Sequence, residues 1–343
     1  MRLTNNNFIS YLQNKYQRDF FYFDEYMDEC LYSEFGFFNT TKVRSNKDGD
    51  FLTSPEVSEY FGFFIANFIN ENSIKKNILE IGAGTGSLAS QVEKFSNKKP
   101  IVIEKSKTAF QFLKNNEFNV YKSIESVPNQ EIDLIYMNEV LDNIPCAVAL
   151  NVNNEWFEKI IRLEEDSLTY DLLPIREINL AWITNNNINP IEGIEIEIQR
   201  NSTEYLKNLI SKFKPKYFII FDYGYEFYER ENKPYKSLIR TYKDHHLSGE
   251  TILQPTSTDI TYDVNFSSVE SFLKIEDYTV KLTSQKEFIY QNGFEELYKE
   301  IQADFQKADG MHKLTLKTHL VGLEAINNNR GLGGFKVAVA KKL

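Results

Sequence analysis

Cysteine and histidine are scarce in this chain of 343 residues, and each scarcity excludes a class of protein. Cys30 and Cys146 are the only cysteines, lie far apart and form no CxxC pair. That excludes a disulfide framework and a zinc knuckle. The four histidines (His245, His246, His312, His319) lack metal-ligand spacing, so no metal is expected. No Ser-His-Asp pattern stands out. No apolar run approaches the ~18 residues of a membrane span. The start, "MRLTNNNFISYLQNKYQRDF", lacks the apolar core of a signal peptide. The expectation is a soluble, cytoplasmic protein. Positive charge is also in deficit. Lys and Arg number 39 against 49 Asp and Glu, a net charge of -10, so a nucleic-acid surface is not expected. There is no internal repeat. What is present, 42% apolar and 26% charged residues, is globular composition in a chain long enough for one large domain or two small ones.

Residues 6 to 34 carry apolar positions at helical spacing, among them Phe8, Leu12, Phe23, Met27 and Leu31, and predict helices. In "SPEVSEYFGFFIANFI", Ser54 reads as an N-cap, Pro55 as the first helical position and Glu56 as an acid complementing the helix start. One helix is predicted from there through Phe68. Short apolar runs then alternate with helical stretches: "NILEI", "IVIE", "DLIYMNE" and "YFIIFDYG". This alternation predicts an α/β fold with a doubly wound, mostly parallel sheet covered on both faces. Between the last two runs, "EWFEKIIRLEEDSLTYDLLP" reads as a hairpin in a β-rich insertion, followed by a helix near 201–213. "GFKVAVAKKL" predicts a final strand, antiparallel at the sheet edge.

Glycine is poor in strands and costs ~1 kcal/mol in a helix. Yet "NILEIGAGTGSLASQVEKF" places Gly82, Gly84 and Gly86 between a strand and a helix. Such a turn lets backbone approach a ligand, and a helix starting near Ser87 points free N–H groups at it. A dinucleotide and S-adenosyl-L-methionine are the ligand classes that fit. The spacing here is G-x-G-x-G, whereas the dinucleotide fingerprint is G-x-G-x-x-G, which disfavours a nicotinamide oxidoreductase. Glu80 closes the first strand and suits an ammonium-bearing ligand. Glu104 closes the second, where a carboxylate accepts bonds from vicinal ribose hydroxyls.

Around this loop "YMDECLYSEFGFF", "GDFLTSPEVSEYFG", "EIGAGTGSLA", "NEVLDNIP", "FDYGY", "DITYDVNF", "TSQKEF" and "GGFKVAV" occur in order. In these motifs the chain resembles the MidA-like family of class I S-adenosylmethionine-dependent methyltransferases, a family that includes the arginine methyltransferase of mitochondrial complex I assembly. The resemblance runs from about Tyr26 to the C-terminus. Departures fall at Ala83 and Thr85, where family members often carry Pro and Arg. Others are Val140 and Leu141 in place of an aromatic pair, and Asp263 where histidine is common.

The resemblance implies a Rossmann-like enzyme (EC 2.1.1) that uses S-adenosyl-L-methionine to methylate a protein arginine side chain by in-line transfer. Residues 1–70 are then an N-terminal helical region with a lid loop. Residues 71–343 are the methyltransferase core, with insertions at about 146–213 and 226–275. The cofactor-binding set is Asp50, Thr53, Glu80, Gly82, Gly84, Gly86, Glu104 and Asn138, with Asp50 and Thr53 closing over the ligand. Glu139 and Asp142 are the catalytic candidates, since a basic acceptor needs carboxylates to orient it. Both sit just past a central strand, where open α/β sheets bind ligands. As acids at a helix start they would equally complement its dipole. Asp222 and Tyr225 are weaker acceptor-side candidates, and His245–His246 read as a surface pair. The acidic net charge favours a basic protein or peptide partner. A homodimer, a small-molecule acceptor and a cofactor-binding assembly factor without turnover all remain compatible with the sequence.

Overall fold

The computed structural model describes residues 2–39, 53–164, 167–230, 236–243, 246–247 and 250–343. Asp50 and His245 lie outside the described residues.

Seven strands form the central sheet: β1 (Asn77–Ile81), β2 (Ile101–Ile103), β3 (Asn119–Tyr121), β4 (Ile132–Asn138), β5 (Tyr217–Asp222), β6 (Tyr278–Ser284) and β7 (Lys336–Lys342). Their order is β6-β7-β5-β4-β1-β2-β3. From β5 to β3 every pairing is parallel. β7 runs antiparallel to both β5 and β6. The parallel strands read as unbroken apolar runs because both faces are covered. In β4, Ile135 and Met137 pack with Leu79 in one core, while Leu134 and Tyr136 pack with Ile78 in the other. Each side chain fully buried this way contributes about 1.5–3 kcal/mol.

The expected position of the last strand needs correction. β7 is antiparallel but second from the edge, with β6 outside it. Val337, Ala338 and Ala340 are fully buried, as an inner strand requires. The edge strand β6 carries exposed and half-exposed residues such as Lys281.

The N-terminal helices are α1 (Arg2–Tyr16) and α2 (Phe23–Tyr32), with an unexpected short strand, Phe20–Tyr22, between them. That strand pairs with Glu155–Glu164, which also forms the expected hairpin with Ser167–Pro174. Ala147–Val152 and Glu195–Ile198 complete a five-stranded antiparallel sheet. The helix Glu177–Asn185 interrupts this insertion, and Arg200–Phe213 follows it.

The single helix expected from Ser54 is two: α3 (Ser54–Val57) and α4 (Phe61–Glu71). Ser58 breaks them with an extended backbone (φ -135°, ψ 123°). Thr53, not Ser54, is the N-cap, and the Ser54 hydroxyl donates instead to Gln285 Oε1 at 3.0 Å. The break lets α3 reach α5 (Ser87–Ser96), the helix after the glycine loop. Gln91 of α5 holds the three helices together. Its Oε1 accepts from the Gly62 N–H at 2.9 Å and its Nε2 donates to the Pro55 carbonyl at 2.7 Å. A Cβ at Gly62 would fall 2.4 Å from Gln91 Cβ, so only glycine permits this approach.

Candidate cofactor and acceptor site

A cavity opens at the C-terminal ends of β1, β2 and β4, where the loops of a parallel sheet bind ligands. Its floor is the glycine turn. Gly82, Gly84 and Gly86 have φ of 70°, 54° and 79°, the left-handed region that glycine enters without strain. The three glycines have different surroundings. Gly82 and Gly84 line the cavity, and a Cβ on Gly82 would lie 2.7 Å from Val140 Cγ2. Gly86 faces the protein, where a Cβ would meet Phe118 Cζ at 2.5 Å.

Thr53, Glu80, Glu104, Asn138 and Glu139 also line the cavity. The structure therefore brings together most of the residues expected at the site. Asp142 is not among the lining residues. It is buried beneath, accepting a hydrogen bond at Oδ2 from the Tyr223 hydroxyl, which also contacts Thr261 Oγ1. The Arg240 guanidinium covers the Tyr223 ring and pairs with Asp263. Asp222 faces inward: its Oδ2 accepts from the Leu141 and Asp142 N–H groups at 3.0 and 3.3 Å, fixing the turn after β4. Tyr225 is buried.

Glu104 is fixed by backbone at the mouth of β2. Its Oε2 accepts from the Gly84 N–H at 2.9 Å and its Oε1 from the Ser106 N–H at 2.7 Å. Burial raises its pKa, and those two N–H groups oppose the rise. Burial pushes the Glu80 carboxyl up to about 8. The Tyr136 hydroxyl beside it favours the charged form and the charge of Glu104 opposes it. Burial likewise pushes Glu139 up to about 8, helped by the charge of Asp142 and opposed by the Asn138 amide, which donates to Oε1 at 2.9 Å. Asp142 rises to about 6 through burial, while Tyr223 and Arg240 stabilise its anion.

Other lining residues escaped sequence reading. Tyr32 and Phe38 form a stacked aromatic wall, with ring centroids 5.5 Å apart, and Tyr205 joins the lining from Arg200–Phe213. Glu56 accepts from the Thr85 and Ser87 hydroxyls at 2.6 and 2.7 Å. Its position in "TSPEV" signals only a helix-start acid, because its partners lie far along the chain.

Among the described residues, the charged lining residues are Glu56, Glu80, Glu104 and Glu139 against Lys105. Lys105 is engaged elsewhere, 3.0 Å from Asp28 Oδ1 and 3.6 Å above the Tyr32 ring. Among the described residues, Glu80 Oε2 and Asn138 Oδ1 are buried without a hydrogen-bond partner. A cationic ligand with ribose hydroxyls meets these needs, and S-adenosyl-L-methionine is such a ligand.

The strand order, the antiparallel β7 and a glycine turn ending in an acid-lined cavity define a class I S-adenosylmethionine-dependent methyltransferase. The family model described as "Putative S-adenosyl-L-methionine-dependent methyltransferase" matches residues 62–283, more than half of the chain, and the chain belongs to that family. It is similar to a Caenorhabditis elegans protein named as a mitochondrial protein arginine methyltransferase NDUFAF7 homolog, 23% identical over 79% of this chain and 72% of that one. A Drosophila melanogaster protein of the same name is 20% identical, over 71% of this chain and 64% of that one. A crystal structure of a Burkholderia thailandensis superfamily member bound to S-adenosyl-homocysteine shares the fold. Its TM-score is 0.80 at 17% identity, over 99% of this chain and 93% of that one. Among the described residues, no helix is long and apolar enough to cross a membrane and no cluster of His, Cys, Asp and Glu could hold a metal ion.

The buried acids give stability a direction with pH. A carboxyl raised in the fold favours its neutral form there. Its stabilisation is complete below the unfolded value near 4.5 and is lost as pH rises through about 8. The melting temperature of the ligand-free protein is therefore expected to fall between about pH 5 and pH 8 and to level off above that. Glu80→Gln, which stays neutral, should flatten that fall. An equally steep fall in the variant, measured by thermal scanning, would exclude Glu80 as a contributor.

Proposed function

We propose that this enzyme methylates an arginine side chain of a protein or peptide. The observation that carries the proposal is the placement of Glu139. It directly follows β4 at a φ of 53°, rare for a residue with a side chain, and it lines the cofactor cavity. A carboxylate there suits a guanidinium, through paired, charge-assisted hydrogen bonds. The names of the worm and fly relatives support the same acceptor.

S-adenosyl-L-methionine supplies, when bound, a methyl group activated for in-line displacement. Glu139 would orient the guanidinium, one nitrogen of which takes the methyl group as the sulfonium–carbon bond breaks and a neutral thioether leaves, and its carboxylate would accept the proton that this nitrogen gives up. Asp142 acts from beneath, through its charge on Glu139 and its bond from Tyr223. Thr53, Gly82, Gly84, Glu104 and Asn138 hold the cofactor.

The test is transfer of labelled methyl groups to proteins of a lysate from cells lacking the gene, followed by mass spectrometry of the labelled peptides. Methylarginine is expected. Label on a small molecule would replace the protein acceptor, and cofactor binding with no label anywhere would favour an assembly role without turnover.

A further inference from the structure

We infer that Glu56 recognises the α-ammonium of the cofactor's amino-acid moiety, an inference that rests on the cofactor assignment. Of the four lining carboxylates, three belong to the C-terminal ends of central strands β1, β2 and β4. Glu104 is anchored by the Gly84 and Ser106 N–H groups at the end of β2. Glu80 is buried within β1, 3% exposed. Glu139 follows β4, takes a bond from the Asn138 amide and has the Ser54 N–H beside its carboxyl.

Glu56 differs. It stands over the end of the glycine turn and the first residue of α5, contributed by a different helix. The Thr85 and Ser87 hydroxyls both donate to Oε1, and these two hydroxyls lie 3.0 Å apart. No described residue donates to Oε2. No described Lys, Arg or His pairs with the charge either, since the one cation of the lining, Lys105, is held by Asp28. The carboxylate of this lining residue is thus fixed through one oxygen, and no described residue donates to the other.

Two hydroxyls hold the group in place without neutralising it. Gln91 fixes the backbone behind it by donating to the carbonyl of Pro55, the preceding residue. A half-buried, oriented, uncompensated carboxylate beside a glycine turn selects a positively charged hydrogen-bond donor. In S-adenosyl-L-methionine and its demethylated product, the α-ammonium is that donor. The same residue joins the segment before the sheet to the loop beneath the ligand, so its two bonds and the ligand would order one another.

The experiment compares two ligands by isothermal titration calorimetry, in the wild type and in Glu56→Gln. S-adenosyl-homocysteine carries the ammonium; 5′-methylthioadenosine keeps the adenosine and lacks the whole amino-acid end. The wild type should prefer the first. Glu56→Gln, which keeps the shape and an acceptor for both hydroxyls, should lose about 10-fold or more for S-adenosyl-homocysteine, the size expected for a charge-assisted bond. Its affinity for 5′-methylthioadenosine should change less than about twofold. Equal losses for both ligands would make Glu56 a latch for the loop alone and overturn the inference, as would no loss for either.

A second variant separates latch from recognition. Thr85→Val with Ser87→Ala removes both hydroxyls and keeps the carboxylate. It should weaken both ligands alike. If it reproduces the selective loss of S-adenosyl-homocysteine, discrimination belongs to the loop and the inference fails. A wild type that binds 5′-methylthioadenosine as tightly as S-adenosyl-homocysteine would overturn the inference while leaving the cavity an adenosine site. A wild type that binds neither would overturn the cofactor assignment itself.

Discussion

Glu139→Gln is expected to bind S-adenosyl-L-methionine as the wild type does and to lose about 10²-fold or more in turnover on its native acceptor. The substitution is nearly isosteric. The Asn138 amide that now donates to Oε1 keeps an acceptor, and the Glu139 N–H keeps its bond to the Phe221 carbonyl at 2.9 Å. Only the charge is removed. In the ligand-free enzyme that charge is costly, because burial and Asp142 hold the carboxyl up to about 8. An arriving guanidinium reverses this balance: it is a cation that stabilises the carboxylate and is oriented by it. The contact counts toward rate to the extent that it tightens in the transition state, and a partly dry site strengthens it. A pH signature accompanies the loss. If the carboxylate is the working form, kcat/KM of the wild type should rise as pH passes through about 8 and this limb should vanish in Glu139→Gln. Asp142→Asn should be milder, because Asp142 does not line the cavity. Wild-type turnover in Glu139→Gln would remove Glu139 from the acceptor site.

The glycine turn and the parallel strands were legible because their signals are local. "NILEI" is β1 residue for residue, and the helix after the turn begins at Ser87 as expected. An apolar run between turn residues can hardly be anything but a buried strand when helices flank it. Failures came where a distant partner decides the structure. The Ser58 break is invisible in "SPEVSEYFGFF", whose apolar spacing continues through it. The break goes with contacts that lie far along the chain: Gln91 takes the Gly62 N–H and donates to the Pro55 carbonyl, on either side of Ser58. Phe20–Tyr22 lies in a stretch of helical period and becomes a strand because Ile160 to Arg162 of the insertion pair with it. β6 was missed because an edge strand with alternating exposed residues carries little apolar signal. The site divides the same way. Glu80, Gly82, Gly84 and Glu104 lie at fixed offsets in one βαβ unit. Glu56, Tyr32 and Tyr205 reach the cavity from other parts of the chain, so no spacing rule could collect them.

Gly84→Val is expected to abolish measurable S-adenosyl-L-methionine binding while leaving the far-UV circular dichroism near native. Three effects act together. The residue sits at a φ of 54°, which a side chain enters at about 1–2 kcal/mol and a β-branched one with more difficulty. Its N–H donates to Glu104 Oε2 at 2.9 Å, so relief of that strain shifts the carboxylate proposed to meet the ribose. The added atoms also stand at the cavity surface, in space the ligand needs. None of these effects touches the cores on the two faces of the sheet, where Leu79, Ile135 and Phe218 on one side and Ile78, Tyr136 and Phe221 on the other remain packed. The fold should therefore survive the loss of the site. Gly86→Val makes the contrast. Its side chain would drive into Phe118 and Leu113, so its damage should appear first as a lower melting temperature. Calorimetric titration and thermal scanning of the two variants distinguish these cases. Wild-type affinity in Gly84→Val would mean that the ligand does not lie against this turn.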